Sequence, residues 1–276
     1  MSSKKKNFAR FGMAAKGAVY CIIGILTALA AFGQGGEQTG GKGALKYLAE
    51  QSYGQFLLIV LAVGLLGYVF WRFYQSFANP NGFEDNPKGY GKRVAFFISG
   101  LLYGGLAFYS FKLAFGGGGS GDSKSMTGSL MSGSNGDTIA IIIGIGMAIK
   151  AVYDLYRAYS GKFREEVEET GMDHKEQKLL INAGKFGHTA RGVVIALMAF
   201  LTLRSGLSSG NDIGTQTDAF SFIQNEFGSF ALGIVAIGLV GYGVYMFIKA
   251  KYPAISVASL RNNNSGGHGK KTIDLK

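Results

Sequence analysis

The sequence is short of the residues from which most metal and catalytic sites are built. Among 276 residues it has three prolines, one cysteine (Cys21) and three histidines (His174, His188 and His268). A single cysteine cannot form an intramolecular disulfide. No HxxxH or CxxC pattern occurs, which excludes common metal-binding motifs. We therefore expect a protein that is not an enzyme and needs no cofactor.

What the sequence has instead is long apolar runs. Hydrophobic residues make up 47% of the chain, and they concentrate in six windows, none of which contains a proline. A helix of about 20 apolar residues crosses the hydrocarbon core of a bilayer and satisfies its own backbone there. We predict an all-α integral membrane protein with helices at about 14–32, 55–75, 94–115, 138–159, 189–204 and 229–248.

The basic residues are distributed unequally between the two sides of these spans. Most of the 28 lysines and arginines lie in the N-terminal segment, the second and fourth loops and the C-terminal tail. Because basic residues are retained on the cytoplasmic side, we expect both termini in the cytoplasm. The net charge of +11 is then explained by topology and by anionic lipid headgroups, with no need for a nucleic-acid partner.

A short phrase at the start of the first span recurs along the chain. "FGMAAKGAVY" (11–20) returns as "FGHTARGVVI" (186–195), and a third, weaker copy aligns Arg93 with Arg10 and Tyr103 with Tyr20. The second helices agree as well: "GLLGYVFW" (64–71), "GMAIKAVY" (146–153) and "GLVGYGVY" (238–245). Since each copy holds two spans, these are three parallel two-helix repeats. A pseudo-threefold bundle is the natural closure, although a linear array fits equally well.

The repeats divide the chain into five regions. Repeat one covers 1–80, repeat two 81–160 and repeat three 181–252. Between the last two lies a charged segment, 161–180, and the chain closes with a polar tail, 253–276, which we expect to be disordered on the cytoplasmic side.

Glycines inside the spans are expected to mediate helix packing, because helices in lipid associate by close approach at small residues. The predicted packing positions are Gly17, Gly64, Gly67, Gly100, Gly104, Gly192, Gly238 and Gly241.

Two charged residues stand out within the fourth span. Lys150 and Asp154 lie one turn apart, and Lys150 replaces the tyrosines found at positions 68 and 242. Ionisable residues inside a span are expensive and are often functional. The pair either lines a path through the bundle or compensates itself while Lys150 extends to the cytoplasmic interface.

Basic residues also recur at the start of the first helix of each repeat: Arg10, Lys16, Arg93, Lys185 and Arg191. We expect them near the interface, where they would contact lipid phosphates or cap the carboxyl ends of neighbouring second helices. A substrate-anion site is the alternative.

The repeated R-x-G-x-x-A-[KR]-G-x-x-Y opening and the G-x-x-G-Y second helix resemble a family of bacterial membrane proteins catalogued as domain of unknown function 1206. The first copy is the most complete; the third replaces the arginine by Lys185 and the tyrosine by Ile195, and the middle copy has Ser99 in place of the second basic residue. The resemblance implies a six-span bacterial inner-membrane protein and supplies no activity.

Two classes of function remain open. The first is a non-catalytic scaffold or accessory subunit that binds another membrane protein, favoured by the lack of a buried polar chain. The second is a channel or transporter with a path along the pseudo-threefold axis, favoured by the parallel repeats and the Lys150–Asp154 pair. We expect the first.

Overall fold

The computed structural model describes residues 3–80, 82–117, 136–160, 173–208 and 212–251, and within these ranges the protein is entirely helical. The helices are α1 (Ser3–Ala31), α2 (Gly41–Ala49), α3 (Gly54–Phe77), α4 (Pro87–Ala114), α5 (Gly136–Tyr159), α6 (His174–Leu207) and α7 (Gln216–Lys251). All of them except α2 are long and apolar enough to cross a membrane. The all-helical membrane architecture is therefore confirmed.

Several helices extend beyond the apolar windows. The fifth predicted span, 189–204, is the second half of α6, which begins at His174. Helix α1 likewise includes the polar segment before residue 14. Hydropathy detects the part that lies in lipid, whereas a helix continues into water as long as its backbone stays hydrogen-bonded. Residues 161–172 of the charged segment and the whole predicted tail, 253–276, lie outside the described residues.

Helix α7 consists of two parts. Gly228 has a φ of 81°, a left-handed conformation that glycine adopts without a steric penalty. It separates residues 216–227 from the span proper. Like α2 before α3, the first part places apolar side chains inside the protein: Phe220 is buried, as are Ala44 and Leu45 of α2.

The spans follow one another in the order α4, α3, α1, α7, α6, α5, each packing on the next. The pairs α3–α4, α5–α6 and α7–α1 join neighbouring repeats, while α1–α3 and α6–α7 join the two helices of one repeat. Between α4 and α5, the two helices of the middle repeat, the described residues show no extended packing. The closed pseudo-threefold bundle stays a prediction.

Glycine allows the outer repeats to close, meaning that the two helices of repeat one, and those of repeat three, pack on each other. A methyl group built on Gly12 would lie 2.5 Å from the backbone nitrogen of Tyr68, and one built on Gly187 would lie 2.5 Å from that of Tyr242. These are equivalent positions of repeats one and three. The middle repeat has Ala95 at the corresponding place. Backbones that approach this closely leave no room for any side chain.

The other glycines predicted to mediate packing lie partly at contacts within a repeat and partly at contacts between repeats. Gly64 lies against Ala15 and Gly238 against Ala190, and Gly241 lies near Ala183, all within a repeat. Between repeats, Gly17 faces Gly243 and Met246, Gly100 faces Phe73, Gly104 lies near Val69, and Gly192 faces Leu155. Gly67 is buried in α3.

Candidate functional site

Lys16 lies in the interior of the bundle. It is 3% exposed, although its position near the start of the first predicted span led us to expect it at the interface. Its Nζ lies 4.8 Å from the ring centre of Tyr103, 5.1 Å from that of Tyr68, 5.6 Å from that of Tyr242 and 6.0 Å from that of Tyr20. A cation at these distances is attracted to the faces of aromatic rings, by about 0.5–2 kcal/mol per ring.

The four tyrosines come from four different spans and form two equivalent pairs. Tyr20 of α1 meets Tyr242 of α7 edge-on with ring centres 4.7 Å apart, and Tyr103 of α4 meets Tyr68 of α3 at 4.9 Å. Tyr20 and Tyr103 are the same position in repeats one and two, and Tyr68 and Tyr242 the same position in repeats one and three. The internal repetition thus brings the tyrosines together.

Two guanidinium groups complete this cluster. Arg191 of α6 donates a hydrogen bond to the Tyr242 hydroxyl at 2.9 Å, and Arg72 of α3 donates one to the Tyr68 hydroxyl from its Nε at 2.8 Å. Lys16 donates to that same Tyr68 hydroxyl at 3.4 Å. Because Arg191 is the repeat-three equivalent of Lys16, each outer repeat directs its cation to its own tyrosine. We name this set the cation–tyrosine cluster: Lys16, Tyr20, Tyr68, Arg72, Tyr103, Arg191 and Tyr242.

Asp154 joins the cluster to the middle repeat. This carboxylate is fully buried and forms an ion pair with Lys150 on its own helix. Its other oxygen lies 3.6 Å from Arg191 Nη1, and the Nδ1 atom of His188 lies 3.8 Å from Oδ1. The predicted Lys150–Asp154 pair is therefore part of a larger group that also holds α5 to α6.

Positive charge exceeds negative charge in this interior. Among the described residues, Asp154 is the one carboxylate within ion-pair distance of Lys16, Arg72, Lys150 or Arg191, and it pairs with only the last two. Lys16 has no carboxylate partner in the part of the chain that the structure describes. Arg191 Nε is buried and has no hydrogen-bond partner. A buried cation without a counter-ion is costly, so the arrangement favours an anion.

The structure places Lys16 and Arg191 in the interior of the bundle, enclosed by tyrosines, and not at the interface or at helix ends where they were expected. The expectation followed from their places at the start of the predicted spans, which do not say which side of the helix each side chain faces. The predicted site residues did not include Tyr20, Tyr68, Arg72, Tyr103, Tyr242 and His188. The recurrence of the tyrosines at equivalent repeat positions was the available signal.

The other predicted basic residues contact the carboxyl ends of neighbouring helices. Arg10 Nε donates to the carbonyl oxygen of Ala250 at 2.8 Å, near the carboxyl end of α7. Arg93 Nε donates to that of Ser76 at 2.8 Å, near the carboxyl end of α3. Lys185 lies over the ring of Tyr159, the last residue of α5, at 5.0 Å. Each contact joins the first helix of one repeat to the second helix of another.

A metal site has no support in the described ranges, where no three His, Cys, Asp or Glu side chains lie together in a metal-binding arrangement.

Comparison with known proteins places this architecture in a family. The model of the family described as Domain of Unknown Function (DUF1206) matches residues 11–79, 94–161 and 186–253. The chain is also similar to "Uncharacterized protein YxxB" of Bacillus subtilis (strain 168), with 26% identity over 250 residues that cover 90% of each chain. No solved structure matches. The chain therefore belongs to the DUF1206 family, of which it contains three tandem copies.

Proposed function

We propose that this protein takes an anionic group into the interior of its helix bundle, at the cation–tyrosine cluster, and so belongs to the channel or transporter class rather than to the enzymes. The observation that carries the proposal is Lys16, which is buried among four tyrosines and has no carboxylate partner among the described residues. A bound anion supplies the missing charge.

The surroundings of Lys16 support a role in binding an anion and not only in stabilising the fold. Arg191 shares the Tyr20 and Tyr242 rings with Lys16, at 5.6 and 4.9 Å from its Cζ, so two like charges are held close together in an apolar interior. Repulsion between them opposes folding, and helix packing needs neither charge. An anion between them would remove both the repulsion and the unpaired charge.

We also propose that the cluster lies nearer the cytoplasmic side of a bacterial inner membrane. The support is the excess of basic residues at the end of the bundle where α1 begins and α7 ends, since such residues are retained in the cytoplasm. A cysteine added after Lys276 should resist a membrane-impermeant maleimide in intact cells. Labelling from outside would contradict this orientation.

Thermal unfolding in an uncharged detergent tests the anion site. Inorganic phosphate should stabilise the full-length protein, by about 2.7 kcal/mol at a hundred times Kd. Lys16→Gln should abolish this response, and Lys16→Arg should keep part of it. Lys46→Gln is the matched control, because it removes the same charge from an exposed position of α2. A phosphate response that survives in Lys16→Gln would contradict the proposal.

A scaffold or accessory subunit is the second candidate, and the exposure of α4 and α5 favours it. These two spans bury a smaller part of their surface than the other four, which leaves apolar area for another membrane protein. Co-purification from mild detergent tests this role. A stoichiometric partner that is lost when α4 or α5 is altered on its exposed side would support it.

A further inference from the structure

We infer that the anionic group is the headgroup of an anionic lipid, which reaches the cation–tyrosine cluster sideways, between α4 and α5. The inference rests on the proposed function and names its ligand class. It depends on the one place where the spans of a repeat do not pack on each other, and on the charge found at that place.

Equivalent positions show how far the middle repeat is open. Val19 and Val194 are 2% and 1% exposed, whereas Leu102, their counterpart in α4, is 70% exposed. Ile98 is 50% exposed, although its counterparts, Ala15 and Ala190, are buried.

The α5 side of the gap shows the same contrast. Gly64 and Gly238 have no room for a methyl group, but one built on Gly146 would meet nothing within 4 Å. We name this open strip between α4 and α5 the seam; it consists of Ile98, Leu102, Gly146 and Lys150.

Charge marks the inner border of the seam. Lys150 takes the place of the buried tyrosines 68 and 242, and its side chain is 41% exposed. Its ion-pair partner Asp154 lies one turn further along α5, and Asp154 in turn pairs with Arg191 of α6. On the α4 side, Tyr103 follows Leu102 directly in the sequence, and its ring lies 4.8 Å from Lys16. The seam therefore adjoins the cluster from both of its helices.

An amphiphile fits this arrangement better than a soluble anion does. Apart from Lys150, the residues of the seam are apolar, so acyl chains can lie along Ile98 and Leu102 without displacing water. Lys150 lies nine residues before the end of α5, or about 14 Å along the helix axis at 1.5 Å per residue. A phosphate attached to a lipid can reach this depth from the side while its chains remain in the bilayer.

The test compares phosphatidylglycerol, phosphatidylcholine and inorganic phosphate as ligands of the purified full-length protein in mixed micelles, by thermal shift. We expect phosphatidylglycerol to stabilise the wild type and phosphatidylcholine not to. Gly146→Phe should weaken the phosphatidylglycerol response at least tenfold, because the ring fills the seam, and should leave the inorganic phosphate response unchanged. Lys16→Gln should abolish both.

The matched control is Ile145→Phe, on the next residue of the same helix. Ile145 and its counterparts, Val63 and Ile237, are exposed in all three repeats, so this change enlarges a side chain outside the seam and should behave as wild type. Leu102→Trp fills the seam from α4 and provides a second test should Gly146→Phe fail to fold.

The outcomes separate the two proposals. A phosphate response that depends on Lys16, without any phosphatidylglycerol response, keeps the anion site and overturns the lipid. Phosphatidylglycerol binding that is insensitive to Lys16→Gln and to both seam variants overturns the inference, since it would be surface binding. A partner protein that occupies the seam overturns it too. Loss of every response in the wild type overturns both proposals.

Discussion

The outer repeats and the middle repeat place different chemistry at the same positions. Repeats one and three carry a cation on their first helix, Lys16 or Arg191, and a tyrosine on their second, Tyr68 or Tyr242. The middle repeat has Ser99 on its first helix and Lys150 on its second. At these two positions each repeat thus keeps one cation, but the middle repeat carries it on the opposite helix.

This exchange goes together with a change in packing. The outer repeats close around glycines 12, 64, 187 and 238, whereas the middle repeat does not close. Its lysine is compensated by Asp154, which occurs where repeat one has Arg72 and repeat three has Met246. The three repeats therefore share one helix arrangement, and the middle repeat departs from it in a way that leaves an opening beside a charged interior.

The largest expected effect comes from removing the carboxylate of the middle repeat. Asp154→Asn leaves Lys150 and Arg191 without a counter-ion in a buried site, and we expect a loss of about 3–5 kcal/mol in unfolding free energy. Lys150→Met should cost less, because Asp154 keeps Arg191 and His188 as partners. Steric-trapping or thermal unfolding in micelles measures both.

The double variant distinguishes a network from an isolated pair. In the double variant Arg191 still lacks its carboxylate partner, so Lys150→Met should rescue the stability lost in Asp154→Asn only in small part. Complete rescue would show that Lys150 and Asp154 compensate only each other.

The next effect tests why the outer repeats close. Gly12→Leu and Gly187→Leu force a side chain into backbone at 2.5 Å, and we expect each to cost about 3 kcal/mol or more. Ala95→Leu, the same change at the exposed middle position, should alter stability by less than about 0.5 kcal/mol. Equal losses at the three positions would mean that the middle repeat packs like the others.

Much of the fold could be predicted from the sequence. Hydropathy located six spans because lipid demands long apolar helices, and the repeated glycines indicated close contacts. The sequence could not show which helices become neighbours. A two-helix repeat suggests a hairpin, yet α4 and α5 do not pack extensively on each other, and Ala95 stands where the outer hairpins have the glycine of their closest contact.

The site was less predictable. Lys150 and Asp154 were found because charge is rare inside a span. Lys16 was assigned to the interface because it lies near the start of an apolar run, and only the packing of α3, α4 and α7 around it shows that it is buried. Tyrosine is common near membrane interfaces, so four tyrosines carried no signal until their repeat positions were compared.

A smaller effect on folding stability is expected when a single methyl group is added, and its sign should differ between the outer repeats and the middle repeat. Gly64→Ala and Gly238→Ala place it 2.6 and 2.4 Å from the Cβ atoms of Ala15 and Ala190, and each should cost about 1–2 kcal/mol. Gly146→Ala meets nothing and should stabilise the protein by about 0.5–1 kcal/mol, because alanine is the better helix former. Destabilisation by Gly146→Ala would contradict an open seam.

The smallest expected effect concerns the helix ends that join one repeat to the next. Arg10→Met and Arg93→Met remove hydrogen bonds to the last carbonyl groups of α7 and α3, and each should cost about 1 kcal/mol. Lys185→Met removes a cation that lies over the Tyr159 ring at the end of α5, and we expect about half that loss. Exposed Lys46→Met controls for the lost charge. If Lys185→Met proved more damaging than Asp154→Asn, the contact between α5 and α6 would depend on this cation more than on Asp154, and the compensation assigned to the middle repeat would be wrong.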